Sequence, residues 1–105
     1  MDNQIARTIY QQIRDSRITN EPFMTNFFQT VKATQIVSLE DGIQFRVKGD
    51  KFSGKVVIRL NAMDTYDIQF WNVQMEPFIC EKVDEINDIY NNQLLETLWR
   101  RIIEV

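Results

Sequence analysis

Histidine is absent from this sequence, and cysteine occurs once, at Cys80. Without imidazole there is no His-dependent catalytic triad, no His-ligated metal and no side chain with the usual neutral-pH base. One thiol makes neither an internal disulfide nor a thiolate zinc cage. Acid–base or metal chemistry would therefore rest on carboxylates. Asp64 and Asp67 flank a turn, but two carboxylates without a third ligand or a cleft make a weak site for a hard cation. Asn61 and Asp64 fit better as acceptors for backbone groups of that turn. Glu81, Asp84, Glu85 and Asp88 lack the alternating oxygen ligands and central glycine of a calcium loop. They fit acid placed at the positive end of a following helix. Cys80, between Ile79 and Glu81, fits a small core residue, and Lys82 alone is too little to activate it as a nucleophile. Gly49 and Gly54 join two strands, so they lack the helix N-terminus that makes a phosphate loop work. No catalytic constellation, no metal site and no cofactor are expected, and the chain reads as a non-enzyme.

Charge patterning gives the stronger signal. The formal net charge is −3, which argues against strong general affinity for nucleic acid. Residues 44–60 nevertheless carry Arg46, Lys48, Lys51, Lys55 and Arg59 against Asp50 alone, a net of +4. Residues 76–96 carry six carboxylates against Lys82, a net of −5.

The elements that hold these charges follow from hydrophobic period. At 105 residues and 44% hydrophobic, the chain is expected to be one domain, residues 1–105. It is long enough to bury about two-thirds of its unfolded surface. Ile5, Ala6, Ile9, Tyr10 and Ile13 mark an amphipathic helix over residues 4 to about 15, with Asp2 or Asn3 as its cap. Residues 16–22 form a loop, and Phe23, Met24, Phe27 and Phe28 suit a short helix over residues 23–30. From Thr34 the period changes to two. Ile36–Leu39 precedes the turn Glu40-Asp41-Gly42. Ile43, Phe45 and Val47, then Val56, Ile58 and Leu60, then Tyr66, Ile68 and Phe70 each alternate with polar residues. A last strand spans residues 78–83. Connections this short pair strands antiparallel. The final helix, residues 88 to about 104, starts at Asp88 and carries an apolar stripe wide enough to meet two surfaces. The fold class is α+β: a two-layer arrangement of a four- to five-stranded antiparallel meander packed on an N-terminal and a C-terminal helix.

The alternation then sends Gln44, Arg46, Lys48, Lys55, Val57, Arg59, Asp67, Gln69, Trp71 and Val73 to the opposite face. Four of these are basic and one is a tryptophan. Such a face suits an acidic protein, with Arg46, Lys48, Lys55, Arg59 and Trp71 as the binding residues, since Arg and Trp dominate interface energetics. It also suits a single nucleic-acid strand, cations on phosphate and a ring on a base. A third possibility is a solvated face on a structural homo-oligomer, with Leu95, Trp99 and Ile103 buried between subunits.

One stretch carries a resemblance. Leu60, Asn61, Ala62 and Asp64, then Thr65, Tyr66 and Asp67, then Tyr90 and Leu94 together resemble a pattern of small uncharacterised proteins encoded by bacteriophages and mobile elements. There a strand ends in a Leu-Asn-Ala/Gly-x-Asp turn, the next begins Thr-Tyr-Asp/Glu, and a late Tyr-x-x-x-Leu helix follows. The match covers about residues 34–103. The resemblance implies expression in an infected bacterial cytoplasm and an accessory role played by binding a host or viral partner. A cytoplasmic location also fits the unpaired thiol. The polar N-terminus lacks the apolar core of a signal peptide, and the longest aliphatic run, Val56-Val57-Ile58, cannot span a bilayer, so no membrane partner is expected.

Overall fold

The computed structural model describes residues 4–15, 28, 31–49 and 51–103, with the backbone alone for Arg14 and Asp15. Helix α1 (Gln4–Asp15) is followed by strands β1 (Thr34–Leu39), β2 (Gly42–Lys48), β3 (Ser53–Leu60), β4 (Tyr66–Met75) and β5 (Phe78–Ile89). A 3-10 turn (Asn91–Gln93) then leads into helix α2 (Leu94–Ile102). The strands form one five-stranded antiparallel sheet in chain order, β1 to β5. This is the α+β meander with flanking helices that the alternating pattern predicts. The helix expected over residues 23–30 and the cap at Asp2 or Asn3 lie outside the described residues, apart from Phe28. That ring is buried, stacks on Tyr10 with centroids 4.7 Å apart, and meets Phe45 edge-on at 5.4 Å.

Among the described residues, the core lies on one face of the sheet. Ile43, Phe45, Val47, Val56, Ile58, Tyr66, Ile68 and Phe70 are buried there against Ala6, Ile9 and Ile13 of α1 and Leu94, Leu95, Leu98 and Ile102 of α2. Leu60 is only partly buried because it ends its strand at the sheet margin. Trp99 and Ile103 are partly buried and also pack on this core. The wide stripe of α2 is thus occupied by its own chain. Arg101 closes the end of the core. Its guanidinium lies 4.9 Å from the Phe70 ring centroid and 5.3 Å from that of Phe52, while Nε donates to Asp84 Oδ2 at 2.8 Å. That pairing holds the Asp84 carboxyl below its ordinary range.

Two expectations are corrected at β5. The strand runs to Ile89, and the helix expected from Asp88 begins at Leu94. Ile86 pairs with Ile68 and Ile89 with Tyr66, so extending the strand covers the sheet margin with apolar side chains that a helix would turn away. Asp88 has φ 60° inside the strand and caps no helix. Its carboxylate belongs to a polar cluster at the β3–β4 turn. Asn61 Oδ1 accepts from the Met63 N–H (2.9 Å) and the Thr65 N–H (3.2 Å). The Thr65 hydroxyl, 3.0 Å from Asn61 Oδ1 and 3.3 Å from Asp88 Oδ1, shares its one proton between them. Asn61 Nδ2 donates to Asp67 Oδ1 (3.0 Å) and Asp88 Oδ1 (3.3 Å), and the Asp88 N–H donates to Asp67 Oδ1 (3.2 Å). The Asn-x-x-x-Thr-x-Asp stretch therefore works as a clasp joining the turn to the end of β5. The acidic residues expected before a helix N-terminus lie along β5 instead.

Three register irregularities bend the sheet, between Thr34 and Val37 of β1, and on β5 opposite Phe70–Trp71 and opposite Tyr66–Ile68. Each gives one strand an extra residue, which raises local twist and re-aims neighbouring side chains. Gln35, with φ 53°, lies in the first, Val83 is the extra residue in the second, and Asp88 lies in the third.

Asn61→Ala removes both halves of the clasp and leaves Thr65, only 6% exposed, with an unanswered N–H. It should lower folding stability by about 2 kcal/mol, read by urea denaturation; a change below a few tenths would mean that the clasp contributes nothing. Replacing Trp99 and Ile103 together with Glu should cost about 3 kcal/mol or more, because charge enters the core margin. A folded monomer of undiminished stability, seen by circular dichroism and sedimentation, would instead place those two residues between subunits.

Candidate functional site

The face of the sheet away from the helices carries the predicted basic and aromatic residues. Antiparallel register puts Arg46 opposite Lys55, Lys55 opposite Trp71, and Trp71 opposite Lys82. Directly opposed residues share a face, so these four side chains form one row across β2 to β5. Like charges at Arg46 and Lys55 therefore stand side by side, an arrangement that disfavours folding.

Trp71 is fixed in this row from several sides. Its indole Nε1 donates to Gln69 Oε1 at 3.1 Å. Gln69 Nε2 donates to Glu85 Oε2 at 3.2 Å, and Lys82 Nζ donates to Glu85 Oε1 at 2.9 Å. The Lys82 and Gln69 bonds hold the Glu85 carboxyl below its ordinary range. Lys55 Nζ lies 5.3 Å from the Trp71 ring centroid, in cation–π range. Gly54 permits a close approach of the β3 backbone here: a Cβ would collide with the Trp71 carbonyl oxygen.

The five predicted binding residues do not form one patch. Arg46, Lys55 and Trp71 are brought together. Lys48 lies two residues further along β2, on the same face as Arg46. Arg59 lies at the opposite end of the sheet, where it forms an ion pair with Asp41 of the β1–β2 turn. Val57, expected at the surface, is 4% exposed. It sits on the outer face between Gln44 and Gln69, its register neighbours on either side, and these long side chains flank it. Cys80, expected in the core, is exposed. It pairs with Val73 in the outer part of the β4–β5 hairpin, beyond the stretch where β4 is paired with β3.

Around the row the face is hollowed. One cavity of about 390 Å³ is lined by Lys32, Arg46, Lys48 and Val73 among others. A neighbouring one of about 400 Å³ is lined by Val37, Lys55, Val73, Met75 and Phe78 among others. Gln35, Arg46 and Val73 line both, so the two are adjoining parts of one groove. Its floor is β2 and β3, one wall is β1, and the other is the hairpin of β4 and β5. The first and second register irregularities lie beside the row, at Thr34 opposite Arg46 and at Trp71 opposite Lys82. Both walls thus bend at the level of the basic row. Lys32, Met75 and Phe78 escape the sequence reading, which follows alternation in the central strands and ignores hairpin ends.

Among the described cations, Arg7 and Lys51 lie outside the groove and hold no carboxylate, and the other eight fall into two groups. Arg59, Lys82, Arg100 and Arg101 each hold a carboxylate. Lys32, Arg46, Lys48 and Lys55, which line the groove, hold none among the described residues. Among those residues no group of three or more Cys, Asp or Glu could bind a metal ion, and no helix is long and apolar enough to cross a membrane.

Gln69→Ala should release the Trp71 indole. In a Trp99→Phe background, where Trp71 is the remaining tryptophan, acrylamide quenching of selectively excited tryptophan emission should increase while circular dichroism stays unchanged. Unaltered quenching would show that packing alone holds the ring. Comparison of the chain with protein-family models, with curated proteins and with solved structures finds no match in any of the three.

Proposed function

We propose that this chain is a non-enzymatic accessory protein that binds a partner protein through the groove on its outer sheet face. The observation that carries this reading is that four cations without carboxylate partners among the described residues line one groove, in a chain of net charge −3. Opposing Arg46 to Lys55 across two strands lowers stability by a few tenths of a kcal/mol, and a local cost of this kind is characteristic of positions kept for binding. Trp71 and Arg46 have the composition of an interface hot spot. The resemblance carried by residues 60–67, Tyr90 and Leu94 supports a phage or mobile-element setting for such a role, in the bacterial cytoplasm.

A single nucleic-acid strand fits less well. Stacking on Trp71 needs an open aromatic face, and Lys55 stands over that ring, which leaves Phe78 as the exposed ring of the groove. Beyond Arg46 and Lys55, the groove's second half is lined by apolar side chains, among them Val37 and Met75, which offer a phosphate backbone nothing.

Arg46→Glu separates binding from folding. It replaces a like-charged cross-strand pair with an opposite-charged one, so thermal stability should hold or rise by up to about 0.5 kcal/mol. A partner protein retained from host lysate by the wild type should be lost. Retention undiminished in the folded variant would overturn the reading, and salt-sensitive retention of labelled single-stranded DNA or RNA instead would replace it with nucleic-acid binding.

A further inference from the structure

We infer that the groove takes an extended, acidic segment of a partner protein that seats one apolar side chain between β1 and the tip of the β4–β5 hairpin. This rests on the proposed function and adds the chemistry of what is bound. The groove is polarised along its length. At one end stand Lys32 and Lys48, with Arg46 and Lys55 on the floor, and none of the four is neutralised among the described residues. At the other end are Val37, 45% exposed, Met75, 72% exposed, and Phe78, 69% exposed. Large apolar side chains on a hairpin tip lose water when a partner's apolar group covers them, and that burial contributes affinity.

Charge complementarity selects the occupant. A carboxylate-bearing chain answers the cations without requiring the Lys55 ammonium to leave the Trp71 ring. A nucleotide base stacking on Trp71 would require that. The reach is set by strand geometry. Lys48 and Gln44 mark the two ends of the groove along β2, four residues apart, or about 14 Å. That length holds four to five residues of extended chain. The acidic side chains therefore lie within about four residues of the apolar one. Both walls are strands, three spacings or about 14 Å apart along a curved sheet. An extended segment fits that width with its side chains directed to floor and walls.

The test uses a fluorescein-labelled peptide, Gly-Glu-Glu-Phe-Glu-Glu-Gly, titrated with the full chain and read by anisotropy at low and physiological salt. Two further peptides replace Phe with Ala or every Glu with Lys, and a thymidine oligonucleotide of matching charge is run beside them. The Phe peptide should bind, should weaken with salt, and should lose about tenfold in affinity with Arg46→Glu. Phe78→Ser should weaken the Phe peptide and leave the Ala peptide unchanged, with circular dichroism confirming that this exposed change leaves the fold intact. Equal binding of the Ala and Phe peptides would overturn the apolar seat. Tighter binding of the oligonucleotide, sensitive to the same substitutions, would overturn a peptide as the occupant. Absence of peptide binding, with lysate retention still lost in Arg46→Glu, would sink this inference while leaving the proposed function standing. Absence of both effects would sink both.

Discussion

One-sided burial governs this molecule. Phe45, Ile58, Ile68 and Phe70 are fully enclosed on one face of the sheet by α1 and α2. Each such side chain contributes roughly 1.5–3 kcal/mol by leaving water. Because strand side chains alternate, the same decision that places these residues inward fixes Gln44, Arg46, Lys55, Gln69 and Trp71 outward. A shift of register by one residue would bury the cations and expose the core, and no local adjustment could repair that. The basic row therefore inherits its position from the core and needs no interaction of its own to hold it there.

The curvature has a separate origin. Were the strands regular, the outer face would be a twisted plane with no walls. The extra residues near Gln35 and at Val83 bend the first and last strands beside the basic row. The third irregularity, at Asp88, is held by Asn61, Thr65 and Asp67. Those polar residues make up the Asn-x-x-x-Thr-x-Asp stretch, and their hydrogen bonds give it a structural role: they set the end of β5 against the β3–β4 turn. Arg101 anchors the same strand further along through Asp84, while lying over Phe70 and Phe52. The wall formed by β5 is thus tied to both the turn and α2.

The sheet and its inward face were legible in the sequence because alternation over β2, β3 and β4 is uninterrupted, from Ile43 through Phe70. The end of β5 was not. Tyr90, Leu94, Leu98 and Ile102 recur at a helical spacing of four, and Asp88 is a good helix cap by type. What decided against the helix is the pairing of Ile86 with Ile68, a long-range contact that no local window contains. Cys80 failed for a related reason. Its apolar neighbour suggested a core strand, but Cys80 lies in the outer part of the hairpin, where β4 has no β3 partner, and it lines the open groove. Of the binding residues, alternation placed Arg46, Lys55 and Trp71 on one face. It could not show that Arg59 is taken by Asp41, because that ion pair depends on where a turn brings a carboxylate.

The distribution of ion pairs then bears on function more than net charge does. In a chain with 15 acidic and 12 basic residues, four cations that hold no carboxylate among the described residues share one groove. Lys82, one strand from Trp71, is neutralised by Glu85, whereas Arg46 and Lys55 face each other. Exposed ion pairs are worth little to stability, so leaving these cations unpaired costs the fold little beyond their mutual repulsion. It changes the local potential a great deal, because the Debye length at physiological salt is about 8 Å. Within that distance an approaching carboxylate meets the groove's cations before it meets the acidic strand. An overall negative protein can in this way present a positive, walled surface to an acidic chain at contact distance, because its net charge of −3 is largely screened beyond the Debye length.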